Sequence, residues 1–226
     1  MDEISGAFFL RACVVQRRQA HNVKEYPMSN RGAFAALLGV NNIGKSTQAQ
    51  MLAERIKKEG GKVQLIKYPD YDLVPSGPML NAYLREGNPD KLSAREFQML
   101  QVLNRTHRES TIKTFLTIGN HVIAEDYTGT GIAWGIGTGV EKDFLYYLNL
   151  HLLKEDLAIL LDGEPFLEGE EERHAHENNR ELIERVRDIH RELALEFGWK
   201  MVNANRPKEE THEEIWQHVL PVIERE

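Results

Sequence analysis

Five short apolar runs, Ala33 to Leu38, Val63 to Tyr68, His121 to Glu125, Leu157 to Asp162 and Trp199 to Asn203, are spaced along this chain with helical patterns between them. Runs of this length, bounded by turn residues, read as five buried strands. A helix between two strands forces a crossover connection, which makes the strands parallel and covers the sheet on both faces. The expected fold class is therefore α/β, a doubly wound five-stranded parallel sheet with helices on both faces. Ligands of such sheets gather at the carboxyl ends of the strands.

The intervening segments fit that scheme. In "NNRELIERVRDIHRELALEF", Leu182, Val186, Ile189, Leu193 and Phe197 step by three or four along one helix face, and Gly198 ends the helix. A second helix opens at Ser93 with "SARE", where Ser93 caps a free amide and Glu96 reaches back to the cap residue's own N–H; it should run to about Phe115.

With 226 residues, 41% hydrophobic and 28% charged, the chain has apolar material for one sizeable core and no linker that suggests a second. A net charge of −7 argues against attachment to nucleic acid or an anionic membrane through a broad basic surface. No run reaches the roughly 18 apolar residues that a membrane helix needs. Cys13 is the only cysteine, so an intrachain disulfide is excluded and a reducing, cytoplasmic setting is expected. Residues 1 to 31 do not fit the pattern that follows and read as an N-terminal extension, poorly ordered or upstream of a start at Met28; residues 32 to 226 form the domain.

The segment "GVNNIGKST" joins the first strand to the helix "STQAQMLAERIKKEG". Gly39, Gly44, Lys45 and Ser46 match the phosphate-loop pattern G-x-x-x-x-G-K-[ST] in its proper strand–loop–helix setting. Backbone amides of the loop, with Asn42 and Thr47 in it, turn toward phosphate oxygens, and the positive end of the helix points at them. Lys45 adds a full charge near the β and γ phosphates, and Ser46 is placed to ligate Mg²⁺. The expected cofactors are ATP and Mg²⁺.

Further along come "KYPDY", "SGPMLNAYLREG", "LQVLNRTHRE", "VIAEDYTGTGIAWG", "AILLDGEP" and "VNANRPKEETHEEIWQHV". Together with the loop, these segments resemble thymidylate kinases, enzymes that move a phosphoryl group from ATP to dTMP, over roughly residues 33 to 220 in the expected order. The resemblance implies a nucleoside monophosphate substrate and, since family members commonly dimerise, a homodimer. It places Lys67, Tyr68 and Pro69 at the acceptor, Lys67 near its phosphate. It makes Arg105 the arginine that grips the acceptor monophosphate, with Gln101 and Arg108 on the same helix face. In "EDYTGTGIAW", Glu125 takes the position of the acid that holds Mg²⁺ or orients the acceptor, with Asp126 as the alternative, while Tyr127 and Thr130 take the tyrosine and serine positions.

The polar stretch "FLEGEEERHAHENN" suits a lid, at about residues 164 to 179, with Arg173 as either its closing arginine or a solvated partner of the neighbouring glutamates. Arg206 either stacks on the ATP adenine or simply precedes Pro207 at a helix start. The histidines, His174, His176 and His190 among them, lack zinc-ligand spacing.

Against the family pattern, Asn41 replaces a loop aspartate, Gln101 stands where an aromatic ring often stacks on thymine, and the glutamine that commonly reads the base is missing. Asp126 replaces an arginine, putting an anion where a phosphate-binding cation stood. Two other readings stay open on these grounds: a nucleotide-binding protein without kinase activity, and a deoxynucleoside kinase.

Overall fold

The computed structural model describes residues 31–166 and 180–224. The extension at residues 1 to 30 and most of the expected lid, with Arg173, His174 and His176, lie outside the described residues.

Five strands, β1 (Phe34–Leu38), β2 (Val63–Lys67), β3 (His121–Glu125), β4 (Leu157–Asp162) and β5 (Lys200–Asn203), form one parallel sheet in the order β2-β3-β1-β4-β5. All four pairings are parallel, with Leu37 opposite Glu125 on one side of β1 and Ile159 on the other. The helices are α1 (Lys45–Lys58), α2 (Ser76–Arg85), α3 (Ala94–Thr117), α4 (Thr128–Gly137), α5 (Lys142–Asn149), α6 (Arg180–Phe197) and α7 (Lys208–Ile223).

The sheet's central strands alternate between two apolar layers. Phe34, Ala36 and Leu38 of β1 pack with Val122, Ala124 and the α3 residues Ile112 and Leu116, while Ala35 and Leu37 pack with α1, α6 and α7 on the opposite face. The expectation of five buried strands holds for β1, β3 and β4 only. Leu65 of β2 and Met201 of β5 are exposed because these strands form the two edges of the sheet. Helix α3 starts where its sequence indicates: the Ser93 hydroxyl accepts from the Glu96 amide at 3.3 Å and the Glu96 carboxylate accepts from the Ser93 amide at 2.8 Å.

The apolar stripe read for α6 faces the core as expected except at Phe197, with Leu182 and Ile189 packed against the buried cluster. Val186 and Leu193 are fully buried, Phe197 is exposed beyond the sheet edge, and a polar residue, His190, is buried on the same helix. His190 Nδ1–H donates to the Val186 carbonyl at 2.8 Å, which fixes the tautomer and leaves Nε2 buried without a partner. Burial pushes its pKa down to about 4, the nearby Lys45 charge adding to the effect. A His held neutral in the fold gives stability that is full above the unfolded pKa near 6.5 and lost as pH falls toward 4. Urea unfolding at about pH 7.5 and about pH 5 should therefore show wild type losing about 2 kcal/mol more than His190→Gln over that interval. Equal losses in the two proteins would remove the assignment.

Candidate active site

The loop after β1 is held in shape by its glycines. Gly39 has φ +141°, and a Cβ there would stand 2.7 Å from the Leu161 carbonyl oxygen; Gly44, with φ +88°, turns the chain into α1. The amides of this turn and the start of α1 face the mouth of the sheet, an anion cradle by geometry. Lys45 is buried within it, donating to the carbonyls of Val40 at 2.6 Å and Gly39 at 3.0 Å, and its Nζ lies 3.6 Å from Asp126 Oδ1. From the other side, the Phe166 amide donates to the Asn42 carbonyl at 2.8 Å, so the segment after β4 is tied to the loop.

The carboxyl ends of β2 and β3 deliver the next charges. Lys67 Nζ lies 2.8 Å from Glu125 Oε1, and Ser46 Oγ donates to that same oxygen at 2.6 Å. Burial works against the Lys67 charge, but the hydrogen bond and charge of Glu125 outweigh it and hold the ammonium above its ordinary range. Asp126 follows with φ +60°, a left-handed backbone that turns its carboxyl toward the loop lysine. Its Oδ1 has no hydrogen-bond partner, and burial raises its pKa, with Lys45 opposing.

A cleft of about 380 Å³ opens from these groups toward α2, α3 and α4. Arg105 of α3 lines it, only 2% exposed. Its Nη1 donates to Asn149 Oδ1 at 3.4 Å, and among the described residues Nε has no partner. Arg105 has room because residue 131 is glycine; a Cβ there would overlap the guanidinium. A buried cation without a carboxylate is costly unless a ligand supplies the anion or acceptor. Arg108, one turn on, does not share this role: it forms a close pair with the Asp70 carboxylate.

Sequence reasoning missed several residues of the cleft, Tyr71, Arg85, Phe97, Gln98 and Trp134 among them. Arg85 lies 4.5 Å over the Tyr71 ring, and Phe97 stacks on Tyr83 with centroids 4.0 Å apart. The structure brings together Asn42, Gly44, Lys45, Ser46 and Thr47 of the loop with Lys67, Tyr68 and Pro69 after β2. Gln101, Arg105, Glu125 and Thr130 complete the wall. Gly39 sets the loop from behind.

Two expected site residues lie elsewhere. Tyr127 does not line the cleft: the ring packs on Phe34 and Tyr68 in the core, and its hydroxyl donates to the Leu153 carbonyl at 2.8 Å. The left-handed turn at Asp126 sends that ring back beneath the sheet. Arg206 pairs closely with Glu214 of α7, which holds its guanidinium on the helix. Among the described residues no group of three or more His, Cys, Asp or Glu could hold a metal ion, and no helix is long and apolar enough to cross a membrane.

A phosphate loop opening a parallel sheet, with a buried arginine in the same cleft, defines a P-loop kinase of nucleotides. The family model for thymidylate kinase matches residues 38–215, and the chain belongs to the thymidylate kinase family. It is 31% identical over 204 residues to the thymidylate kinase of Halothermothrix orenii, covering 84% of this chain and 97% of that one. It is 27% identical over 205 residues to that of Dictyostelium discoideum, covering 89% and 91%. The solved structure of thymidylate kinase from Candida albicans has the same fold, with TM-score 0.71 at 23% identity over 84% of this chain and 92% of that chain.

Proposed function

We propose that this chain transfers the γ-phosphoryl group of ATP to a nucleoside monophosphate, dTMP foremost, giving dTDP. The observation that carries this reading is the buried Arg105, a cation in the same cleft as the phosphate loop and, among the described residues, without a carboxylate partner. The loop amides, Lys45 and Thr47 receive the donor's phosphates. Lys67, Tyr68, Pro69, Gln101, Thr130 and Arg105 surround the acceptor, with Arg105 as its anchor.

The phosphoryl group in transit carries charge on its equatorial oxygens and needs positioned cations more than covalent chemistry. Lys45 and Lys67 supply that charge from two sides. Glu125, bonded to both Ser46 and Lys67, fixes their positions relative to one another. Ser46 Oγ and Glu125 Oε1, 2.6 Å apart and both on the cleft wall, are hard oxygen ligands that fit Mg²⁺ and would hold it together with phosphate oxygens. When bound, such an ion neutralises charge on the phosphates. The single cysteine fits a reducing compartment, and we place the activity in the cytoplasm.

One observation favours an acceptor without a phosphate: Asp126 brings a carboxyl group to the cleft wall, and its charge, only partly offset by Lys45 at 3.6 Å, would repel an anion. The test is a coupled ADP-release assay with Mg-ATP and a panel of dTMP, dUMP, the other common monophosphates and thymidine, with Lys45→Ala as the blank. Turnover led by dTMP is the expected result. Turnover with thymidine alone would transfer the reading to a nucleoside kinase. ATP binding without any product would leave only a nucleotide-binding protein.

A further inference from the structure

Gln98 is a second buried polar side chain of α3 that the roles above leave unused. It is 2% exposed, it lines the same cleft as Arg105, and among the described residues its carboxamide oxygen Oε1 has no hydrogen-bond partner. A buried amide oxygen left without a donor is costly, so a side chain kept in this state is explained when a ligand supplies the missing donor.

Its surroundings are built to seat it. Gln98 and Arg105 both pack against glycines of α4: a Cβ at Gly131 would overlap the Arg105 guanidinium, and one at Gly135 would meet Leu145 first, at 2.7 Å, and the Gln98 carboxamide carbon at 3.2 Å. At about 1.5 Å rise per residue, Gln98 lies about 10 Å from Arg105 along α3, toward the helix start and away from the phosphate loop. That end of the cleft is walled by Leu84, Arg85 and Phe97, the last stacked on Tyr83. A nucleotide with its phosphate at the Lys67 end therefore brings its base to this apolar and aromatic end, where Gln98 is the neighbouring hydrogen-bond acceptor.

We propose that Gln98 reads the acceptor's base, its Oε1 accepting from the ring imide N–H of a thymine-type pyrimidine. It is a specificity-determining residue and takes no part in the transfer itself. The inference rests on the reading of the cleft as an acceptor-nucleotide site. A base with N–H at this position satisfies the orphaned oxygen; one methylated there removes the donor and presses a methyl group against the amide. Sites that bury a hydrogen-bonding group reject analogues lacking its partner far more strongly than apolar pockets reject a missing methylene.

The experiment compares dTMP with its N3-methyl analogue, using the full chain and the variants Gln98→Leu and Gln98→Met, with ATP affinity measured on each as the check of folding. Wild type should prefer dTMP over the analogue by about a hundredfold in kcat/KM. Each variant should lose about ten- to a hundredfold in kcat/KM on dTMP, carried by KM with kcat nearly unchanged, and should separate the two substrates by no more than about threefold. Discrimination that survives in a variant that still binds ATP overturns the role of Gln98 while leaving the kinase reading intact. If wild type turns over no monophosphate, the kinase reading falls by itself. Calorimetric titration with dTMP then decides the inference, binding about tenfold or more tighter in wild type than in Gln98→Leu supporting it and equal affinity overturning it.

Discussion

Lys45→Ala lowers kcat for ADP formation on the order of a thousandfold, because it removes a full charge from the transferring phosphates in a partly dry site. Such a loss corresponds to about 4 kcal/mol in the barrier. The structure adds a second consequence. Lys45 is the cation nearest the buried Asp126, at 3.6 Å, and it also ties the loop to itself through the Gly39 and Val40 carbonyls. Removing it leaves a buried carboxylate without its counter-charge, a change that typically costs about 3–5 kcal/mol when the pair is dry. Asp126 retains some exposure, 16% of its side chain, so about 1–3 kcal/mol is the expected loss of unfolding free energy.

The double variant Lys45→Ala, Asp126→Asn separates the two effects. Removing the carboxylate's charge should return most of the lost stability, while turnover stays at the Lys45→Ala level because the phosphates still lack their cation. Denaturant titration and the coupled assay read the two quantities on the same samples. Recovery of activity in the double variant would show that Lys45 acts by neutralising Asp126 and not on the nucleotide.

How much of this was legible in the sequence depends on how local the determinant is. Strand positions came within a residue of the observed ends because apolar runs between glycine and polar turns are local signals, and the capping box at Ser93 is four consecutive residues. The phosphate loop is equally local. What escaped depends on packing between elements. Phe97 and Arg85 read as an ordinary apolar position and an ordinary helix-end charge; only the docking of α2 on α3 puts them on one wall. Tyr127 was misplaced because sequence order puts it beside Glu125, whereas the left-handed Asp126 between them reverses its direction. Arg206 pairs with Glu214, about two helical turns on, a contact that spacing from Pro207 does not reveal. His190 is buried with its ring hydrogen-bonded to its own helix, a placement that residue polarity alone does not reveal.

Arg105→Ala gives the other large loss, and its form separates a monophosphate acceptor from a bare nucleoside. Hydrogen bonds to a charged partner contribute about 1.5–3 kcal/mol each, so losing two of them predicts about a hundred- to ten-thousandfold fall in kcat/KM for dTMP. A nucleoside acceptor, with no phosphate to clamp, would show almost no change. Arg105→Lys keeps the charge but not the planar fork, and should recover less than about a tenth of the loss. The glycine opposite supplies an independent check that leaves Arg105 in place. At Gly131 an added Cβ overlaps the guanidinium end of a side chain, not backbone, so Gly131→Ala can be accommodated by displacing Arg105. The variant should melt within a few degrees of wild type yet lose about tenfold or more in kcat/KM for dTMP, since small misplacements of a positioning group are costly. Wild-type kinetics in Gly131→Ala, with Arg105→Ala impaired, would mean that Arg105 needs its charge in the cleft but not this seat; wild-type kinetics in both would remove Arg105 from the acceptor site.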